Sequence, residues 1–130
     1  METSTNTIKS YPILRKMIRK ATIEIKDNLK SLDYLESNFR NLLARALRDQ
    51  GLEVFEEVPV VYITENQTIP FGYGFIDLVI KQNKGSVLIE LKITNRSATR
   101  QLRKYMRHFN YSKVLFGVCI NFHADNAKIK

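Results

Sequence analysis

Residues 75–93 read FIDLVIKQNKGSVLIELKI, two aliphatic and β-branched runs on either side of the polar turn KQNKG. Such runs, bounded by Gly and Asn, read as a pair of strands, and neither is a natural place for charge. Asp77 nevertheless stands between Ile76 and Leu78, and Glu90 and Lys92 alternate with Ile89, Leu91 and Ile93. Because side chains alternate along a strand, Val87, Ile89, Leu91 and Ile93 share one face while Leu88, Glu90 and Lys92 share the other. The same alternation puts Phe75 and Val79 on the face of Asp77. A carboxylate among apolar neighbours loses hydration, which costs several kcal/mol if it stays unpaired, and two carboxylates on adjacent strands repel each other. A divalent cation answers both problems. Mg²⁺ is held by a few carboxylates and several waters, leaves room for phosphate oxygens, and activates a water for attack on a phosphodiester. Lys92 would hold that water or stabilise the transition state. A salt bridge from Lys92 to either acid on a half-solvated sheet accounts for the same spacing, so both readings stand at this point.

Working outward, residues 51–63 (GLEVFEEVPVVYI) form a preceding strand, joined through the polar turn TENQT, so that three strands make a meander. Residues 97–110 return to helical period with Ala98, Leu102, Tyr105, Met106 and Phe109, and residues 113–122 (KVLFGVCINF) read as a strand buried on both faces. Upstream, a helix is expected from an N-cap at Asp33, with Glu36 three residues later, to Gln50. Its apolar face is Leu35, Phe39, Leu42, Leu43, Ala46 and Leu47, and Gly51 ends it. Residues 12–30 form a basic amphipathic helix, with Ile13, Leu14, Met17, Ile18 and Ala21 opposite Arg15, Lys16, Arg19 and Lys20. That helix is expected to pack its apolar stripe on the domain, although phosphates or an acidic membrane surface would suit its basic side. The order is α-α-β-β-β-α-β, divided into a helical extension (1–32) and one domain (33–130). There are no internal repeats, and the two ends are expected to be loose.

Composition narrows the class. A chain of 130 residues, 44% hydrophobic and 26% charged, is one soluble-type globular domain, and no apolar run approaches the roughly 18 residues that span a bilayer. Cys119 is the single cysteine. No internal disulfide can form, Cys119 reads as a core residue, and a reducing compartment, cytosolic or nuclear, is expected. The N-terminus lacks the apolar block of a secretory signal, and Glu24 and Asp27 argue against a mitochondrial presequence. The net charge of +8 is unevenly spread. Residues 1–30 hold seven Lys/Arg against three acids, residues 31–90 five against nine, and residues 91–130 nine against one. Basic ends with a pI of 9.7 suit a polyanion, nucleic acid first of all, or simply a solvated basic surface. No Cys/His spacing suggests zinc, no glycine-rich loop opens a helix, and no Ser/His/Asp set is apparent. His108 and His123 are read as structural or solvated.

Asp77, then twelve residues, then Glu90-Leu91-Lys92 resembles the signature of the PD-(D/E)XK nuclease superfamily, an acid on one strand followed by (D/E)-X-K on the next. The derived order, with the first helix set aside, matches that superfamily's restriction-endonuclease-like α-β-β-β-α-β core, an α/β (α+β) fold with a mixed four-stranded sheet flanked by helices. Over about residues 31–123 the chain further resembles the GxxExxY family. It carries Leu35-Glu36-Ser37, Gly51-Leu52-Glu53-Val54, Glu57-Val58-Pro59-Val60, Asp77-Leu78-Val79, Ile89-Glu90-Leu91-Lys92, Gln101-Leu102 with Tyr105, and Gly117 followed by Ile120-Asn121-Phe122. In the naming motif Asp33 replaces the glycine, Glu36 matches, and Phe39 replaces the tyrosine.

The resemblance implies a Mg²⁺- or Mn²⁺-dependent nuclease that hydrolyses DNA, or RNA as a second class, by a metal-activated water. It implies that Asp77 and Glu90 bind the metal, that Lys92 is catalytic, and that Glu36 reaches the metal directly or through water. A capping-box role is the alternative for Glu36. Gln101 and Tyr105 look like the Q-x-x-x-Y pair of exonuclease-like branches, beside the active site and on the DNA backbone; an exposed glutamine and a core tyrosine are the alternative. Arg96, Arg100, Arg103, Lys104 and Arg107 crowd the same helix and its approach, where phosphate contacts would weaken steeply with salt. Two other functions fit the same residues. One is a Holliday-junction-type resolving endonuclease working as a homodimer, and the other is a non-catalytic nucleic-acid-binding module.

Overall fold

A computed structural model describes residues 11–28, 36–66, 69–93, 98–122, 128 and 129. Asp33, Leu35, Arg96, His123 and part of the TENQT turn lie outside them. Helices α1 (Tyr11–Asn28) and α2 (Glu36–Asp49) precede strands β1 (Glu53–Ile63), β2 (Pro70–Gln82) and β3 (Gly85–Lys92); helix α3 (Thr99–His108), β4 (Val114–Asn121) and a two-residue β5 (Lys128–Ile129) follow. The sheet order is β1-β2-β3-β4-β5. Among the described strands only the β3–β4 pair is parallel, because α3 carries the chain back to the end of the sheet at which β3 begins. The mixed four-stranded sheet thus gains a fifth short strand from a segment expected to be loose.

Helices cover both faces. Leu14, Ile18, Ala21 and Ile25 of α1 join Phe39, Leu43, Ala44 and Leu47 of α2 over Leu78, Ile80, Val87, Ile89, Leu91, Val118 and Ile120. On the other face Leu102 and Tyr105 of α3 lie against Ile76, Val79, Leu88 and Cys119. The apolar faces of the first two helices are rotated from those expected. Ile13 is half exposed and Leu42 partly so, while Ile25 and Ala44 are buried in their place. The reason is that α1 and α2 share one side of the sheet and touch each other, which selects a different stripe from the one that simple spacing favours. β3, covered on both faces, is buried from Gly85 to Leu91. β4 is fully buried only at Val118, Cys119 and Ile120, so its first half is less enclosed than its sequence suggests.

Gly51 closes α2 as expected. Its φ of +89° lets its N–H reach the Arg48 carbonyl at 2.9 Å and the Leu52 N–H reach the Leu47 carbonyl at 3.3 Å, the paired bonds of a Schellman ending. Gly117 meets a different demand. A Cβ there would lie 2.7 Å from Met106 Sδ and 2.8 Å from Leu102 Cδ2, so α3 rests directly on the β4 backbone. Gly117→Ala is therefore expected to destabilise the protein by about 1–3 kcal/mol through overpacking, read as a lower urea midpoint with an unchanged m-value; an unchanged midpoint would show that α3 moves freely over β4.

The feature that sets the site is a switch of faces in the β1–β2 hairpin. Val54 belongs with α1 and α2, but Val58, Val60 and Tyr62, of the same parity, pack with α3. On β2, Leu78 and Ile80 face α2 whereas Ile76 faces α3. The switch falls at Glu57 and Asp77, the one position missing from an otherwise regular register between Glu56↔Leu78 and Val58↔Ile76. Glu57 has φ +51°, a left-handed conformation costing roughly 1–2 kcal/mol in a non-glycine residue. It turns the hairpin about its axis, so two consecutive side chains, Glu56 and Glu57, both reach α2. The expectation that Phe75 and Val79 flank Asp77 on one apolar face fails for this reason: Val79 packs under α3 and Phe75 is half exposed.

Candidate active site

The β2–β3 ladder runs regularly from Gln82↔Gly85 to Leu78↔Ile89 and stops before Asp77 and Glu90. Side chains replace the ladder there. The Asp77 N–H donates to Glu90 Oε1 at 3.0 Å, and Asp77 Oδ2 accepts the Leu91 N–H at 2.8 Å. The strands fork, and the carboxylates satisfy the amides that the fork leaves unpaired. The two carboxyl groups are thereby brought side by side, and burial with mutual repulsion favours keeping a proton on Glu90. Asp77 and Glu90 therefore face one another, as their alternation on adjacent strands predicts.

Burial and repulsion make this pair costly. Glu90 is only 3% exposed. Burial first, and the Asp77 charge second, push its carboxyl up to about 8 against the help of the Asp77 N–H and Lys92. Burial also raises Asp77, opposed by the Leu91 N–H, Arg40 and Lys92. Glu36, the first residue of α2, is raised by burial and by Asp77, while Lys92 and the Ile93 N–H lower it. The N-terminus of α2 thus stands over the end of β3.

Lys92 is half-buried beside all three acids, yet no ion pair joins it to a described acid. Its ammonium lies within electrostatic range of the carboxylates and is not consumed by them.

Tyr105 is buried under the hairpin. Its hydroxyl accepts a hydrogen bond from Gln101 Nε2 at 2.6 Å, and burial, then the Glu90 charge, push it up to about 12. Tyr62 stacks on it, with centroids 6.4 Å apart. Gly74 leaves room for the two tyrosines, since a Cβ there would come within 2.6 Å of the Tyr105 ring. Arg100, Arg103, Lys104 and Arg107 are all exposed on α3, in one stripe spaced i, i+3, i+4, i+7, with Lys104 Nζ 4.8 Å from the centre of the Tyr62 ring. His108 is structural, its Nδ1 accepting the Ile63 N–H at 3.3 Å.

Among the described residues, no three Asp, Glu, His or Cys side chains are gathered closely enough to form a metal cage by themselves. The arrangement is a contacting pair, Asp77 and Glu90, with Glu36 farther off. One or two carboxylates are what Mg²⁺ ordinarily takes from a protein, the remaining positions going to water and phosphate. A cation can offset the repulsion between the two carboxylates, so the donor set fits such an ion.

Arg40 was not anticipated. It lies one helical turn beyond Glu36, reaches Glu57 Oε1 at 3.3 Å and Glu56 Oε1 at 3.8 Å, and lowers Asp77 and Glu36 electrostatically. Its i, i+4 relation to Glu36 is the sequence signal that could have found it.

A model of the PD-(D/E)XK nuclease superfamily matches residues 13–130. The chain belongs to the PD-(D/E)XK nuclease superfamily. No curated protein matches it. Membership in a PD-(D/E)XK family indicates a nuclease acting on nucleic acid, of a kind that generally uses divalent metal, and the described helices include none long and apolar enough to cross a membrane.

Proposed function

We propose that the protein is a Mg²⁺- or Mn²⁺-dependent nuclease that hydrolyses DNA phosphodiester bonds, with Asp77 and Glu90 holding the ion and Lys92 acting at the phosphate. The observation that carries this reading is the buried Asp77–Glu90 contact at the end of the β2–β3 ladder, a pair with excess negative charge and with backbone amides fixing one oxygen of each carboxylate. The oxygen of each not held by an amide is available to a cation. When bound, the ion supplies charge neutralisation at the phosphate and lowers the pKa of a water. Lys92, unpaired with any described acid, orients the attacking water and offsets charge developing on the phosphate oxygens. Glu36, held near the Ile93 N–H, is placed to position a water at the edge of the pair. Gln101, anchored on Tyr105, contacts the substrate backbone beside the reacting phosphate. Arg100, Arg103, Lys104 and Arg107 attract the strand, with binding that weakens steeply as salt rises. The exposed aromatic rings of Phe71, Tyr73 and Phe75 on β2 add surfaces on which bases stack. The resemblance to the GxxExxY family is consistent with this placement of Glu36.

The test incubates the purified protein with plasmid DNA, linear and branched oligonucleotides, and RNA, in Mg²⁺, Mn²⁺ or EDTA, beside Asp77→Ala and Lys92→Ala. Cutting that requires metal and disappears in both variants is expected. Retention of DNA without cutting by the wild type would instead make the protein a binding module. A dimer in solution that cuts branched DNA selectively would make it a junction-resolving endonuclease.

A further inference from the structure

Arg40 is held in an unusual way for a residue so near the carboxylate pair. Its side chain is 16% exposed, and its Nε is buried without a hydrogen-bond partner, since 3.8 Å to Glu56 Oε1 is too long for one. Glu56 is shared with Arg48, whose Nη1 approaches Glu56 Oε2 at 3.2 Å. The remaining contact, to Glu57, is 3.3 Å long, and the Glu57 side chain is 61% exposed. A guanidinium matches an oxyanion through two parallel bonds, and neither contact here is of that kind. Glu57 itself reaches Arg40 only because its left-handed backbone turns two successive acids toward α2. Backbone held in a rare conformation at a site is a reason to look for function there. That turn stands directly across β1–β2 from Asp77.

We propose that Arg40 is a phosphate-binding residue of the candidate active site, held at rest by the exposed carboxylate of Glu57 and transferred to a phosphate oxygen of the substrate when nucleic acid arrives. The role rests on the nuclease reading above. In the transfer the guanidinium exchanges a loose, solvent-screened ion pair for a charge-assisted bond beside Asp77. Glu57 turns outward to water, while Glu56 keeps Arg48.

The two residues therefore act with opposite signs on substrate binding. Arg40→Ala is expected to lower affinity about tenfold and to reduce the slope of log affinity against log salt by about 0.9 for duplex DNA. Glu57→Gln is expected to raise affinity about two- to fivefold, the reverse of losing an exposed pair. The measurement is the dissociation constant of a fluorescein-labelled DNA duplex by anisotropy in EDTA, together with KM for its cleavage in Mg²⁺. The variants are Arg40→Ala, Arg40→Lys, Glu57→Gln and the double Arg40→Ala/Glu57→Gln. Glu53→Gln, an exposed acid on the same strand, reports the effect of a mere change in net charge.

Coupling decides the matter. A gain from Glu57→Gln that exceeds that of Glu53→Gln and vanishes when Arg40 is absent supports the transfer. An equal gain with and without Arg40, or an Arg40→Ala salt slope like the wild type's, overturns it. Glu57→Gln alters only an exposed side chain and keeps its shape, so it remains decisive if Arg40→Ala proves unstable: no gain over Glu53→Gln is again fatal. Wild-type protein that neither binds nor cuts DNA ends both readings. Wild-type cutting that Asp77→Ala abolishes, with no coupling between positions 40 and 57, ends the Arg40 role alone.

Discussion

Glu90→Gln is expected to abolish cleavage while making the metal-free protein more resistant to heat at pH 8. Glutamine keeps the shape and the oxygen that accepts the Asp77 N–H, and its amide can donate to the neighbouring Asp77 carboxylate. What disappears is a buried charge that burial and Asp77 both penalise, with its carboxyl at about 8. A shift of that size corresponds to a few kcal/mol, and removing even part of it raises Tm by roughly 3–10 °C in a chain of this length. The same substitution deletes half of the pair available to a cation. Activity is expected to fall by at least the roughly 10²–10³-fold that follows loss of one transition-state donor. Activity and stability thus move in opposite directions, a signature of a site whose charges serve chemistry rather than folding. Melting curves in EDTA and initial cleavage rates in Mg²⁺ check both arms. A Glu90→Gln protein that still cuts, or that melts lower than wild type at pH 8, would show that the pair is structural.

A second large effect concerns pH and metal together. The Glu90 carboxyl is raised from 4.5 to about 8 on folding, so between those values the folded chain keeps a proton that the unfolded chain has released. Stability falls with rising pH wherever the folded state binds more protons. In EDTA the wild-type Tm is therefore expected to decline from about pH 4.5 to about pH 8 and then level, apart from other titrations. Glu90→Gln loses that part of the decline. A divalent ion competes with the proton that the raised Glu90 carboxyl retains, so Mg²⁺ or Mn²⁺ is expected to raise the wild-type Tm strongly at pH 8 and little at pH 5. Saturation at a hundred times Kd is worth about 2.7 kcal/mol. Binding at pH 7 is also expected to release protons, which calorimetry in buffers of different ionisation enthalpy measures. A metal effect on Tm that is the same at pH 5 and pH 8, or that survives in Glu90→Gln, would place the ion somewhere else.

Much of this architecture could be read along the chain because its signals are local. Val87, Ile89 and Leu91 alternate with Leu88, Glu90 and Lys92, and in the structure Val87, Ile89 and Leu91 pack with α1 and α2 while Leu88 packs with α3. Gly51, expected to end a helix, ends α2 with a positive φ. Cys119, read as core, is buried. The failures share a cause. Ile13 and Leu42 satisfy helical spacing yet point away, because which stripe is buried depends on where the neighbouring helix lies. Phe75 satisfies strand alternation yet is half exposed, because the hairpin turns over at Glu57. Nothing in a glutamate announces a left-handed backbone, a conformation for which only Gly, and less often Asn or Asp, gives a residue-level signal. Arg40 carries no such residue-level signal, because an arginine at a polar helical position is usually solvated and its two acid partners lie 16 and 17 residues away on a strand.

The amino-acid sequence alone determined the three helices and the first four strands, their order, and that two acids and a lysine sit on neighbouring strands, since periodicity and turn chemistry act over a few residues. Only the tertiary structure decided that Asp77 and Glu90 meet at a fork in the sheet, that Lys92 stays out of ion pairs with the described acids, and that Arg40 lies beside two consecutive glutamates. Those facts depend on strand register, on a face switch within a hairpin and on burial, all of which are set by contacts between segments far apart in the chain.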